Sequence, residues 1–135
     1  MTTAGSASVL ALAPAAAFAV NEKQRVDLPK IGWTKDGKPQ YCAAGYVELY
    51  KSGSKVIGKT FAGYCTAKAE YRVELLGPNF PRRPAYGVNF GGYWSYDLIV
   101  EGPLAAGTWS ACGAYRNANG TDVAGTSRCV NGAFK

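Results

Sequence analysis

The sequence contains no histidine and a single methionine, and its four cysteines never stand in a CxxC pair. Each lack removes a class of chemistry. Ser-His-Asp and Cys-His catalysis both need an imidazole to carry a proton, and the common zinc sites need His or closely paired Cys. No metal and no organic cofactor is expected, because 135 residues form one domain without room for a nucleotide-binding unit beside a substrate domain. Acidic residues are scarce as well, with 9 Asp plus Glu against 15 Lys plus Arg and a formal charge of +6. Asp97 with Glu101, and Glu70 with Glu74, are spaced four apart. On a strand that spacing separates the carboxyls by ~13 Å, too far for either glycosidase geometry. The chain is therefore expected not to be an enzyme.

Charge is also missing from the first twenty residues, an apolar Ala-rich run that closes on Ala17-Phe18-Ala19. A small-x-small site after such a run is the pattern of a secretory leader, here residues 1–19. The absent basic segment points to a leader truncated at its start. The run from Val9 to Val20 is shorter than the ~20 residues that cross a bilayer, so no membrane span is expected. Export makes disulfides the natural reinforcement of a small core. Cys42, Cys65, Cys112 and Cys129 allow three connectivities. Cys42 with Cys65 and Cys112 with Cys129 is favoured, because each pair lies across a proposed hairpin.

Residues 20–40 are polar and extended, with Val26, Leu28, Ile31 and Trp33 as apolar anchors. Two readings are balanced. This segment is either an ordinary edge strand or an arm that adds a strand to a partner through main-chain hydrogen bonds. From residue 41 to 135 the chain breaks into short runs rich in Tyr, Val, Ile and Phe, with turn residues about every ten positions, the spacing of an all-β sandwich. Strands are expected over Tyr41–Lys51, Lys55–Cys65, Lys68–Leu76, Tyr93–Glu101 and Thr121–Val130. Period-two alternation places Tyr71, Val73 and Leu75 on one face, opposite Arg72 and Glu74.

The run Leu104-Ala105-Ala106-Gly107-Thr108-Trp109 resembles the LxxGxY corner of Greek-key sandwiches, with Trp in place of Tyr. In that family the aromatic after the glycine packs where the chain changes sheets, and its polar atom hydrogen-bonds back to the backbone. The resemblance implies a Greek-key, immunoglobulin-like β-sandwich of about seven to eight short strands, stapled by disulfides and preceded by the extended arm.

The most distinctive stretch is Gly77 to Gly87, where Pro78, Pro81 and Pro84 surround Phe80, Arg82 and Arg83. Proline fixes φ and restricts its predecessor, so the stretch is expected to project as a stiff loop outside any central strand. Arg and aromatic residues dominate interface hot spots, which marks Phe80, Arg82, Arg83 and Tyr86 as partner contacts alongside the arm residues Val26, Leu28, Ile31 and Trp33. Tyr86, Phe90, Tyr93, Trp94 and Tyr96 form an aromatic, glycine-rich patch that also fits sugar stacking. The expected function is a secreted, non-enzymatic protein-binding module, an adaptor or subunit of an extracellular complex. The layout of leader, arm and two-disulfide domain is similar to that of small adaptor subunits in secreted bacterial toxin particles. The alternatives are a protease inhibitor acting through residues 78–84 and a carbohydrate or cell-wall binder. The expected partner is another secreted or cell-surface protein. The basic charge also suits an anionic cell-wall polymer, and export disfavours nucleic acid.

Overall fold

A computed structural model describes residues 23–30, 33–35, 38–40, 42–66, 68–117 and 119–134, with the backbone alone for 33–35, 38–40 and 92–96. Among the described residues ten strands follow one another: β1 (Gln24–Asp27), β2 (Trp33–Lys35), β3 (Lys38–Gln40), β4 (Cys42–Ser52), β5 (Lys55–Cys65), β6 (Ala69–Gly77), β7 (Phe80–Asn89), β8 (Gly92–Pro103), β9 (Gly107–Arg116) and β10 (Arg128–Phe134). Eight of them form two four-stranded antiparallel sheets, in the orders β1-β4-β5-β8 and β10-β9-β6-β7. Strands β2 and β3 pair separately with each other. The chain changes sheets between β5 and β6, between β7 and β8, and between β8 and β9. Among the described residues no helix is long and apolar enough to cross a membrane.

Alternation builds the core. Along β6, Ala69, Tyr71, Val73 and Leu75 are buried while Glu70, Arg72 and Glu74 point outward. Val47 and Leu49 of β4 and Val56 and Ala62 of β5 meet them from the facing sheet, and Trp109, Ala111 and Tyr115 of the adjacent strand β9 extend the same buried face. Each large apolar side chain so buried contributes about 1.5–3 kcal/mol. Burial pushes the Tyr115 phenol up to about 12, with the charge of Tyr71 adding to the effect.

The corner at Trp109 closes as the sequence resemblance implies. Its indole Nε1 donates to the Ala105 carbonyl at 3.0 Å. Buried Asn89 ties the sheets together, donating from Nδ2 to the Ala62 carbonyl at 2.9 Å and accepting from the Gly91 amide at 2.7 Å. The disulfides Cys42–Cys65 and Cys112–Cys129 both join residues directly opposite on adjacent strands, the pairing favoured from the hairpin spacing.

Two expectations are corrected, and one open choice is settled. The stretch after Gly77 is not a projecting loop. It turns at Pro78-Asn79, with Asn79 in the left-handed region at φ 53, which Asn tolerates better than most residues, and continues as β7. That strand is the outer edge of its sheet, where prolines are tolerated because an edge strand has N–H positions that bond no neighbour. The closing strand begins at Arg128 instead of Thr121, because 119–127 folds on itself around buried Thr126, whose Oγ1 donates to the Val123 carbonyl at 2.7 Å. Of the two balanced readings of the N-terminal segment, residues 24–28 follow the edge strand. Strand β1 pairs with β4, the Leu28 amide donates to the Gly45 carbonyl at 2.9 Å, and Leu28 is buried in the chain's own core with Val26 packed against it. Alternating apolar residues found the nearest apolar surface, which lies in their own domain.

Candidate functional site

The outward face of the second sheet collects a set of charged and aromatic side chains. In an antiparallel pair, residues directly opposite share a face. The register therefore puts Arg72 of β6 beside Tyr86 of β7, and Glu74 beside Pro84. On the other side of β6, Glu70 stands opposite Arg116, the last residue of β9. After Arg116 the chain reverses through a turn closed by the Asn117 amide on the Thr121 carbonyl at 2.7 Å, and Asp122 bridges back to Arg116. That reversal delivers Asp122 to Arg72.

Arg72 holds the two acids. Its Nε and Nη2 donate to the two carboxylate oxygens of Asp122, each at 2.8 Å, and its Nη1 lies 3.3 Å from Glu74 Oε1. A bidentate guanidinium–carboxylate pair is among the stronger polar contacts. Hydrogen bonding to Arg72 holds the Asp122 carboxyl below its ordinary range, and the same bond raises Arg72 further. Glu74 also accepts from Arg82 Nε at 2.9 Å, although the Arg82 side chain is 68% exposed. The Arg116 guanidinium lies 4.1 Å from the centre of the Tyr86 ring, a cation–π contact, and donates to the Gly120 carbonyl at 3.0 Å. These residues surround an open basin of about 330 Å³ that holds three arginines against two carboxylates.

The outward face of the first sheet is arranged differently. Arg25 covers Tyr46 at 3.8 Å, and Tyr46 stacks on Phe61 with centroids 4.8 Å apart. The nearly buried Glu48 carboxylate lies 3.2 Å from Lys59 and 3.6 Å from Lys23, and Lys59 also reaches Asp97 at 3.6 Å. Burial works against the Lys59 ammonium, yet its hydrogen bond to Glu48 and the charges of Glu48 and Asp97 outweigh that and hold its pKa above the usual value. These charges form ion pairs with one another within the sheet.

The residues singled out in the sequence separate into distinct places. Arg82 and Tyr86 come together in the basin. Phe80 packs on the Trp109 indole at 5.4 Å, and Arg83 lies over the Phe80 ring at 5.1 Å, on the side of the sandwich where β7 approaches β8. Val26 and Leu28 serve the core, which removes them from the contact surface. Ile31 lies outside the described residues, as do the side chains of Trp33, Tyr93, Trp94 and Tyr96. Tyr86 and Phe90 of the aromatic patch are exposed. Arg72, Arg116 and Asp122 carry no site signal in the sequence, and Glu74 enters it only as a carboxylate too far from Glu70 for catalysis. The alternation of β6 marks Arg72 and Glu74 as outward, but only the pairing of β6 with β9 brings Arg116 and Asp122 to them. Comparison with known proteins returns no matching family model, no similar curated protein and no similar solved structure.

Proposed function

We propose that the protein is a secreted, non-enzymatic protein-binding module, a small adaptor or subunit of an extracellular complex, that meets its partner on the outward face of the second sheet and the β7 edge. One observation carries this reading. Arg82, Pro84 and Tyr86, all exposed, line up on one face of an edge strand, with Arg116 stacked on Tyr86 beside them. Arg and Tyr are the residue types that anchor protein interfaces, and a rigid strand loses little conformational entropy on binding. The two disulfides support secretion, since such bonds persist in oxidising compartments. We read the architecture as a Greek-key, immunoglobulin-like sandwich, on the three sheet changes and the indole-closed corner between β8 and β9.

Inhibition of a trypsin-like protease is the second reading, favoured by the exposure of Arg82. It ranks lower because the segment is held in a sheet edge and Arg82 is engaged by Glu74. The first reading is tested by capture from culture supernatant with the tagged chain. Wild type and Ile99→Ala recover the same partner, whereas Arg82→Ala with Tyr86→Ala loses it by at least about tenfold. Equal recovery by all three removes the proposed face.

A further inference from the structure

We infer that the partner element seated on this face is an extended acidic peptide, one of whose carboxylates enters the basin shared by Arg82 and Arg116. The inference rests on the protein-binding reading and adds the chemistry of the partner. Arg72 commits three of its five N–H donors, Nε and Nη2 to Asp122 and Nη1 to Glu74, and its side chain is only 16% exposed. Arg82 is held only through Nε to Glu74, and Arg116 only through one donation to the Gly120 carbonyl and its stack on Tyr86, among the described residues. A guanidinium carries five N–H donors in a fork that matches a carboxylate, so both keep donors to offer. Three arginines and two acids line the basin, Glu70 stands opposite Arg116 beside it, and the chain as a whole carries a formal charge of +6, so an incoming carboxylate meets open guanidinium donors on a basic protein.

The surroundings favour a peptide over a polymer of acidic sugars. A polyanion needs a row of cations, yet the same face continues across β9 and β10 as Ser110 paired with Asn131 and Cys112 bonded to Cys129. The alternate positions Arg82, Pro84 and Tyr86 form a strip of ~13 Å, the length of a few extended residues. Pro81 and Pro84 have no N–H to give, so strand addition to β7 is weakened and side-chain contacts dominate. Binding of this kind weakens as salt rises.

The test uses nitrogen-15 NMR titration of the full chain with three probes: an alternating Glu-Thr decapeptide, its Gln-Thr counterpart, and polygalacturonate. The Glu-Thr peptide is expected to shift the amides of residues 82, 83, 85 and 86 and the Arg116 side-chain N–H. The Gln-Thr peptide then binds at least about tenfold more weakly, and Arg82→Gln costs the Glu-Thr peptide a similar factor. Equal binding of the two peptides overturns the inference. Tighter binding of polygalacturonate at the same signals also overturns it, in favour of a polymer. If the Glu-Thr peptide leaves these signals unmoved while Arg82→Ala with Tyr86→Ala still abolishes partner capture, the acidic-peptide inference fails and the protein-binding reading stands. Failure of both experiments removes both.

Discussion

Trp109 shows how closely single residues are fitted. Its ring fills a slot between Gly77 and Gly102, where an added Cβ would come within 3.0 Å of the ring at Gly102 and collide with it at Gly77. Gly77→Ala therefore pushes the indole off its bond to Ala105 and is expected to cost about 1–3 kcal/mol, read from the urea midpoint. An unchanged midpoint contradicts the slot. Asp122 works through charge. A carboxyl more acidic in the folded than in the unfolded chain stabilises the fold above its ordinary value of 3.8 and stops doing so as pH falls through its lowered folded value. Asp122→Asn is expected to lower stability by about 1 kcal/mol at pH 7, a figure discounted for its partial exposure. As pH falls below that ordinary value the gap from wild type should narrow. A gap that stays constant down to pH 2 contradicts the pairing with Arg72.

The strands were legible in the sequence wherever alternation and turn chemistry agreed. Strands β4, β5 and β6 fall within one residue of their expected bounds, because Ser52-Gly53-Ser54 and Gly77-Pro78-Asn79 punctuate clear period-two runs. Strand β7 was misread because two prolines argue against a strand, and only its position at the sheet edge removes the objection. The start of β10 was misplaced because the loop before it is organised by buried Thr126, a tertiary contact with no local signature. The site was half legible. Arg82 and Tyr86 stood out, but Asp122 reaches Arg72 across 50 residues of sequence, and that distance is closed only by the pairing of β6 with β9. The Cys112–Cys129 bond pins this region by stapling β10 to β9. Replacing both cysteines by Ala is expected to cost about 2–4 kcal/mol in urea unfolding. A loss under about 0.5 kcal/mol would mean that the ladder between β9 and β10 holds without the staple.

Across the whole molecule, the two outward faces divide the charge in different ways. The first sheet closes its cations onto Glu48, Asp97 and stacked rings. The second sheet gathers Arg72, Arg82 and Arg116 around an exposed tyrosine at the edge of the sandwich. The leading claim is that this second face, and not the first, meets a protein partner. Site-specific photo-crosslinking tests it most directly, with a benzophenone side chain placed at Tyr86 on one face or at Ile99 on the other, both exposed. Illumination in culture supernatant should yield a discrete protein adduct from position 86 and none from position 99. An adduct from position 99 with none from position 86 would contradict the account.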